Sequence, residues 1–597
     1  MIFSKNKNNT SENAMFGLLR YLKGYRAAAI AAPLFKIIEA IIELIVPLIV
    51  AAMIDGPIAR GDIPAVIGMG ALMAGLSCVG LGFSLACQYL ASKAAVGLGC
   101  NIRTALYAHL HRLNLGDSDR MGTGALVNRL STDVAQAQQG FAMFLRLMLR
   151  APVIAAGGAI MSIIVAPSLW YIGVGAGVLA FVILLVVMRA GVSRFAAMQK
   201  KLDDISRLTN ETIRGERVIR AFAGEGRSKD KFDGALVSHC RSAVAASALS
   251  CLLTPAATVV INAAVVVLLW MGGGAVNDGV ISSGDLVALV NYLNQIMLAL
   301  ITTATLMVLI SKAVSSAARI NALFALKEDE EGAGALPDLN APLVELKNAS
   351  FSFGGEENAV GGLDLTLRRG ETLGVIGTTG SGKSTLAGLL TRFYRATEGQ
   401  VLIAGRDIRE YTDEQLRSLV TLAPQKPLLF SGTVRSNLGM SGEIDDEKMI
   451  SALGMTKAWE FVSEKKGLDS EVTQKGNNFS GGEKQRISLA RALLRDAPVL
   501  VLDDAASALD YVTEAEVMRS VRKACRDKAV VNISQRIGTI RRSDKILVLD
   551  GGRVVGYGTH ETLLGDCELY RSLAGITPRS EDRGGKGGKA QADGGGK

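Results

Sequence analysis

The chain has 597 residues, of which 49% are hydrophobic, and a formal net charge of +9. It is too long for one domain and too apolar for an ordinary soluble enzyme, so we expect a membrane protein with a separate polar domain. Its seven cysteines are scattered without CxxC spacing, which argues against a disulfide framework or a zinc site. The positive charge does not indicate a nucleic-acid partner, because the Lys and Arg residues form no basic face.

The first 27 residues predict a cytoplasmic N-terminus that ends in an interfacial helix. Residues 16–26, FGLLRYLKGYR, place apolar and basic side chains at helical spacing ahead of the first long apolar run. The preceding residues are polar, and we expect no cleaved signal peptide.

Residues 28–326 predict a transmembrane domain with six helices and two long cytoplasmic loops. Each apolar run is long enough to cross a bilayer, and the runs lie at about 28–55, 65–91, 142–166, 168–189, 250–273 and 284–311. The polar stretches 92–139 and 189–245 hold five and twelve Lys or Arg residues, whereas Arg60 is the one basic residue in the short gaps between spans. This asymmetry predicts that the long stretches and both termini are cytoplasmic in a multi-pass plasma-membrane protein.

The remaining sequence predicts a linker, a soluble domain and a tail. Residues 327–342 combine charge, Gly and Pro, as linkers do. Residues 343–577 alternate short β-rich runs with helical stretches, which predicts an α/β domain with a largely parallel sheet. The Gly- and Lys-rich residues 578–597 are expected to be disordered. The expected fold is therefore a six-span α-helical transmembrane domain fused to an α/β nucleotide-binding domain.

A strand-like run, ETLGVIG, leads into GTTGSGKST, which fits the P-loop pattern. Backbone N–H groups of such a loop surround phosphates, while Lys383 reaches the β- and γ-phosphates of ATP and the Ser384 hydroxyl can bind Mg²⁺. The predicted nucleotide contacts in this loop are Gly377, Thr378, Thr379, Gly380, Ser381, Gly382, Lys383, Ser384 and Thr385. A second apolar run, VLVLD, ends in Asp503, which is placed to hold the same Mg²⁺.

Between these two motifs lies FSGGEKQRISLARAL. Its residues Phe479 to Glu483 resemble the signature sequence of ATP-binding cassette (ABC) transporters, in which Gln usually stands at the last of these positions. Six spans fused to one cassette resemble a half-transporter of the exporter-type (type IV) fold. The resemblance implies that two cassettes close head to tail, so that Ser480, Gly481 and Gly482 contact the ATP bound to a partner's P-loop. It therefore implies a second half-transporter as partner.

The resemblance also assigns roles outside these motifs. Phe353 is similar to the aromatic residue that stacks on adenine, and Gln425 to the glutamine that senses Mg²⁺ and the γ-phosphate. Residues 507–510, SALD, resemble the loop that crosses to the partner cassette. Residues 121–134 and 210–225 resemble the cytoplasmic segments that couple cassettes to transmembrane helices.

The chain departs from the family pattern at two catalytic positions. Asp504 stands where the family usually has a Glu that polarises the attacking water, and it is shorter by one methylene, about 1.5 Å. Gln535 stands where a His usually contacts the γ-phosphate, and its amide can neither carry charge nor shuttle a proton. One interpretation is a slow homodimer that tolerates both residues. The favoured one is the degenerate-site subunit of a heterodimer, like those of bacterial multidrug-type exporters, whose own ATP site is hydrolytically impaired.

The transport path is less defined by the sequence. Lys36, Glu39 and Glu43 share one face of the first span. They line a polar substrate cavity, or Lys36 neutralises the two carboxylates or extends to the cytoplasmic interface. By resemblance, the function is ATP-driven export of amphiphilic small molecules or lipids by alternating access. The alternatives are import of a siderophore or metal chelate on the same fold, or a soluble cassette ATPase, against which the six apolar runs argue.

Overall fold

The computed structural model describes residues 14–329, 332–354 and 358–575. The chain forms two compact units. The first comprises the described residues up to His111 together with Gly122–Leu326, and the second comprises Arg112–Met121 together with the described residues from Lys327 onward. The predicted disordered tail, 578–597, lies outside the described residues.

The first unit is entirely helical in its described part. Its α-helices, with α4 of the second unit included in chain order, are α1 (Ala14–Leu18), α2 (Arg26–Met53), α3 (Ile63–Arg112), α4 (Leu115–Met121), α5 (Thr123–Asn128), α6 (Val134–Met143), α7 (Arg150–Val165), α8 (Trp170–Ala221), α9 (Glu225–Cys251), α10 (Leu253–Asn277) and α11 (Ser283–Phe324). Short π-helical segments at Ile54–Ile58, Arg129–Asp133 and Phe144–Met148 join some of them.

Six helices are long and apolar enough to cross a bilayer, as predicted from the sequence. They cover Arg26–Ile58, Ile63–Arg112, Thr123–Val165, Trp170–Ala221, Pro255–Asn277 and Ser283–Thr303. Several run well beyond the apolar segment, so the long polar stretches continue the spans as helices.

Helix α11 lies at the centre of this unit and packs against α2, α6, α7, α8 and α10. Its first turn is fixed by a capping box between Ser282 and Asp285. The buried Tyr292 donates a hydrogen bond of 2.9 Å to the Leu44 carbonyl of α2. A methyl group added at Gly158 of α7 would lie 3.0 Å from Ile296, so a small residue is what permits this close crossing.

The second unit contains the α/β domain. Its strands are β1 (Val344–Phe351), β2 (Val360–Leu367), β3 (Thr372–Gly377), β4 (Glu398–Ile403), β5 (Arg406–Asp407), β6 (Val420–Ala423), β7 (Gly432–Thr433), β8 (Glu471–Val472), β9 (Val499–Asp503), β10 (Ala529–Ile533), β11 (Lys545–Asp550) and β12 (Arg553–Gly558). The helices are α12 (Lys383–Leu390), α13 (Asp413–Leu419), α14 (Val434–Leu438), α15 (Asp446–Met455), α16 (Trp459–Ser463), α17 (Gly481–Leu493), α18 (Tyr511–Ala524), α19 (Ile537–Ile540), α20 (His560–Asp566) and α21 (Glu568–Leu573).

The main sheet has the strand order β12-β11-β3-β10-β9-β6 and is parallel except for the β11–β12 pair. Strands β9 and β10 are buried along their whole length, which explains their continuous apolar runs. A four-stranded antiparallel sheet, β2-β1-β4-β5, accompanies it. In parallel sheets of this kind, ligands bind beyond the carboxyl ends of the strands. Strands β3 and β9 end there with Gly377 and Asp503.

The short helix α4 belongs to the second unit, although it lies in the first long polar stretch. The Tyr394 hydroxyl is 3.4 Å from Asp119 of α4, and Arg120 donates a hydrogen bond to the carbonyl of Phe353. Gly122, at φ +74°, separates α4 from α5. Residues 121–134, one of the two segments for which the resemblance implies a coupling role, lie in the transmembrane unit except for Met121. The segment 210–225 lies at the end of α8, where the chain turns into α9.

Candidate functional site

The P-loop connects the buried strand β3 to α12. Its backbone adopts positive φ angles at Gly380 (+83°) and Gly382 (+96°), which glycine reaches without steric cost. A side chain at Gly377 would collide with the backbone of β11 and with Ser381, so the turn also needs a small residue there. The loop therefore leaves its amide groups and the start of α12 available to an anion.

The Lys383 ammonium group lies inside this loop. It donates hydrogen bonds of 2.8 Å and 2.7 Å to the carbonyls of Gly377 and Thr378, and it is 3.5 Å from the Ser381 hydroxyl. Burial lowers the pKa of Lys383 below its usual value, while Asp504 and Asp503 oppose the shift. The side chain thus closes the loop and keeps a positive charge close to where phosphates would lie.

Ser384 and Asp503 come together as the sequence predicted for two residues that share Mg²⁺. The Ser384 hydroxyl donates to Asp503 Oδ1 over 3.3 Å. Burial raises the pKa of Asp503 above its ordinary value, Ser384 and Lys383 oppose the shift, and Asp504 reinforces it. A hydroxyl and a carboxylate beside a phosphate loop fit Mg²⁺, which accepts one or two protein oxygens together with phosphates and water.

Asp504 lies directly after β9 in a left-handed backbone conformation, with φ +50°. Its N–H donates to the Ile533 carbonyl of β10 over 2.9 Å. Burial raises the pKa of the Asp504 carboxyl, a hydrogen bond with Gln425 and the charge of Arg536 lower it, and Glu514 raises it further. Gln425 therefore lies near Asp504, which brings another predicted residue to this edge of the sheet.

Two other predicted residues lie at the border of the nucleotide site. Phe353 is half-exposed, and its ring makes edge-on contacts with Phe351 and Tyr394 at centroid distances of 4.8 Å and 5.3 Å. Gln535 is exposed in the turn between β10 and α19. Thr379 and Thr385 lie within the P-loop and the first turn of α12, respectively.

The signature residues lie apart from these groups, at the start of α17. Ser480 caps this helix through a reciprocal capping box with Glu483. Ser480 and Gly481 are exposed and Gly482 is partly buried, whereas the neighbouring Phe479 is buried against the cassette core. The signature therefore presents a helix N-terminus at the surface, where it can contact another molecule.

The loop 507–510 is tied to two parts of the cassette that the sequence did not single out. Gln485 of α17 donates to the Ser507 hydroxyl over 3.0 Å and accepts from the Ala508 N–H over 2.8 Å. Arg536, beside Gln535, donates to the carbonyls of Ser507 and Leu509, each over 3.1 Å, and also bonds Glu514. This loop thus connects the signature helix to the turn that carries Gln535.

Asp550 is a further residue that sequence reasoning missed. Its carboxylate accepts a hydrogen bond of 2.8 Å from the Thr378 hydroxyl and so fixes one side of the P-loop. The run KILVLD, like VLVLD, is apolar and ends in Asp. It forms β11, which lies parallel to β3 and next to it, so both strands end at the same edge of the sheet. An apolar run that ends in Asp was therefore the sequence signal that could have identified Asp550.

Comparisons with known proteins agree with this geometry. Residues 29–300 match the family described as the ABC transporter transmembrane region, and residues 360–507 match the family described as ABC transporter.

Relatives match over nearly the whole chain. An uncharacterised ABC transporter ATP-binding protein of Mycobacterium tuberculosis is 34% identical over 583 residues, which is 96% of this chain and 100% of the relative. The uncharacterised ABC transporter ATP-binding protein YfiB of Bacillus subtilis is 30% identical over 558 residues, 93% of this chain and 97% of the relative. The ATP-dependent lipid A-core flippase of Francisella tularensis is 30% identical over 529 residues, 87% of this chain and 86% of the relative. The chain therefore belongs to the ABC transporter family, with an exporter-type transmembrane region fused to an ATP-binding cassette.

Proposed function

We propose that this chain is one half of a heterodimeric ATP-driven exporter. In this proposal its own P-loop site holds Mg·ATP with slow turnover, while its signature residues complete the hydrolytic site of a different partner subunit. The observation that carries the proposal is the pair of departures, Asp504 and Gln535, within one composite site whose residues for holding the nucleotide are all present.

The conformation of Asp504 supports slow hydrolysis. Its backbone N–H is bonded to the Ile533 carbonyl, so the residue is fixed at the sheet edge, and Gln425 lies close enough to lower the pKa of its carboxyl. The side chain is one methylene shorter than Glu, and a misplacement of about 1 Å can cost on the order of 10²-fold in rate. Gln535 adds no charge and no proton acceptor to compensate.

The residues that hold the nucleotide support retained binding. Lys383 is anchored in the P-loop, and Ser384 and Asp503 are adjacent oxygen donors for Mg²⁺. Phe353 offers a half-exposed ring for adenine. When bound, Mg²⁺ would neutralise phosphate charge, and the chain's own part is to orient Ser384 and Asp503 toward it.

The proposed cargo is an amphiphilic small molecule or a lipid. The relative from Francisella tularensis is named as a flippase of lipid A-core, which is itself an amphiphile. Six helices are long and apolar enough to cross a bilayer, which is the environment that an amphiphile enters. The proposed orientation places both termini and the cassette in the cytoplasm, on the basis of the basic residues in the long loops.

The test compares the purified chain alone with the chain assembled with a candidate partner. The partner to choose is a half-transporter with Glu and His at the positions that match Asp504 and Gln535. We expect slow ATP hydrolysis with retained nucleotide for the chain alone, and fast hydrolysis for the complex. Robust, cooperative ATPase activity of the chain as a homodimer would contradict the proposal.

A further inference from the structure

Charged side chains of α2 and α7 meet inside the transmembrane unit. Lys36 and Glu39 of α2 form an ion pair of 2.6 Å, and Lys36 is also 3.5 Å from the Ser84 hydroxyl of α3. One turn further along α2, Glu43 pairs with Arg150 of α7 at 2.6 Å. The structure thus realises the pairing that the sequence offered as one alternative for Lys36 and Glu39, and it supplies Glu43 with a different cation.

Arg146 is a third cation in the same region. It lies in the π-helical segment Phe144–Met148, between α6 and α7. Its guanidinium donates to the Gln88 carbonyl over 3.3 Å and to the Ser92 hydroxyl, both on α3. Both acceptors are neutral, so these bonds leave the charge of Arg146 uncompensated.

These charges belong to one cluster. Lys36 contacts Ser84 of α3, and Arg146 contacts Gln88 one turn further along the same helix. With the Glu43–Arg150 pair, three cations accompany two carboxylates. The cluster therefore has one positive charge more than its own carboxylates neutralise.

Unsatisfied polar atoms mark the same place. In the described part of the transmembrane unit, the buried side-chain nitrogen and oxygen atoms without a hydrogen-bond partner are Nε of Arg146, Nε of Arg150 and Oε1 of Gln295. Glu43, Arg150 and Gln295 also line a narrow cleft of about 20 Å³, together with apolar residues such as Leu147 and Leu298. The Nε groups of the two arginines are thus unused donors, and Arg150 lies beside an apolar wall.

A charge without a counter-ion costs free energy at the depth of this cluster in the bilayer. Lys36 is ten residues into α2, about 15 Å along the helix, which is roughly half the thickness of a bilayer core. Ionisable groups at such positions are rare, and they are retained mainly where they serve a ligand or ion pathway. Short π-helical segments such as Phe144–Met148 also occur frequently at functional sites.

We propose that this cluster binds the anionic headgroup, a carboxylate or a phosphate, of an amphiphilic substrate. Arg146 is its direct partner, and the two ion pairs position the neighbouring helices around it. The inference rests on the proposed function for the route of transport, but binding itself can be measured without ATP. The competing interpretation is purely structural, in which Arg146 only ties α3 to the rest of the unit.

The experiment measures ligand binding to the full chain in phosphatidylcholine nanodiscs, with bound ligand counted by native mass spectrometry. The probes share a twelve-carbon chain: dodecyl phosphate, dodecanoate, neutral monododecanoylglycerol and dodecyltrimethylammonium. Inorganic phosphate tests the headgroup without the chain. We expect the two anionic amphiphiles to bind more tightly than the other three probes.

Arg146→Gln should weaken binding of the anionic amphiphiles about tenfold, since a hydrogen bond between charged groups is lost. Binding of the neutral amphiphile should not change, and Arg146→Lys should retain most of the affinity for the anions. The matched control is Arg207→Gln, which removes an exposed arginine that pairs with Asp204 and should change nothing.

Three results would overturn the proposal. They are equal binding of anionic and neutral amphiphiles by the unchanged chain, unchanged anion binding by Arg146→Gln, and an equal loss of all ligands in Arg146→Gln and Arg146→Lys. The first needs no variant, so it stands even if Arg146→Gln fails to fold. Fast hydrolysis by a homodimer would instead contradict the heterodimer and leave this binding result intact.

Discussion

The cassette has two faces that we propose to contact nucleotide, and they are built in different ways. The P-loop face is held by internal contacts: Lys383 bonds loop carbonyls, Ser384 bonds Asp503, and Thr378 bonds Asp550. The signature face is an exposed helix start that depends on a cap and on the contact of Gln485 with Ser507. Both departures from the family pattern fall on the first face.

This difference implies that nucleotide binding and nucleotide hydrolysis depend on different residues. The groups proposed to hold ATP on the P-loop face are fixed by bonds within that face, and Lys383 and Asp503 are also buried, so they are present whatever stands at 504 and 535. The signature face makes no use of those two positions. Changes to the signature should therefore damage turnover by the assembled transporter most, and changes to the P-loop face should act on affinity or on latent activity.

The largest effect is expected from Gly481→Asp in the assembled transporter. Gly481 has ordinary backbone geometry, and an added Cβ would lie 3.9 Å from Ala508, so the helix should still form. The new carboxylate would repel the partner-bound phosphates, and we expect ATPase activity to fall at least about 100-fold, as with loss of a phosphate-stabilising group. Gly481→Asn is the neutral control and should lose much less. Equal losses in both would point to a steric cause.

The second effect is a gain of activity. Asp504→Glu combined with Gln535→His should raise ATP hydrolysis by the chain alone on the order of 10²-fold, because the carboxylate regains its reach and a proton acceptor returns. Asp504→Glu by itself should restore little. The double variant with Asp503→Asn added is the inactive control. A full gain from Asp504→Glu alone would show that the missing methylene is the whole defect.

A third, intermediate effect concerns the adenine contact. Phe353→Ala should weaken ATP binding about tenfold, since stacking on an aromatic ring contributes about 1–3 kcal/mol. Fluorescent-nucleotide titration of the full chain measures this affinity. Tyr557→Ala, which removes a similarly exposed ring from the edge strand β12, is the matched control. If both variants bind ATP as the unchanged chain does, adenine does not stack on Phe353.

The smallest effect is a pH dependence of Mg·ATP binding. Burial raises the pKa of Asp503 above the ordinary 3.8, so the carboxylate takes up a proton at a higher pH than a free Asp would. As the pH falls, Mg·ATP affinity should therefore weaken earlier than an ordinary Asp predicts. The free energy of unfolding changes with pH in the opposite direction. It falls as the pH rises from 3.8 through the raised pKa of Asp503, because ionisation of the buried carboxyl destabilises the folded state.

Titrations at several pH values, with Mg²⁺ present and with Mg²⁺ removed by EDTA, measure this dependence. The change of nucleotide affinity with pH should be smaller in EDTA and absent in Asp503→Asn. A slope that persists unchanged in Asp503→Asn would assign it to another group.

The sequence was sufficient for the large features because they depend on local patterns. Hydropathy predicts the six spans, and a strand–loop–helix pattern predicts the P-loop with Asp503 beside it. The contact of Asp550 with Thr378 depends on strand order, and a strand's place in the sheet is a long-range property. The φ of Asp504 and the Arg150–Glu43 pair likewise depend on distant residues that share a neighbourhood only after folding.

The first long polar stretch shows the same limit at closer range. Residues 115–121 and 123–128 are both short helices in one polar stretch, and Gly122 marks the break between them. Local sequence indicates that helices are present but not which of them packs with the cassette. That choice depends on Tyr394 and Phe353, more than 200 residues further along.

The capping box of Ser480 determines which of its atoms remain for a phosphate. The Ser480 N–H is taken by Glu483 Oε2 at 2.6 Å, and its hydroxyl oxygen accepts from the Glu483 N–H over 3.3 Å. A hydroxyl that accepts one bond still has its own hydrogen to donate. The cap therefore orients the oxygen without using that hydrogen, so an incoming phosphate finds an aligned donor and the helix start need not rearrange to bind it.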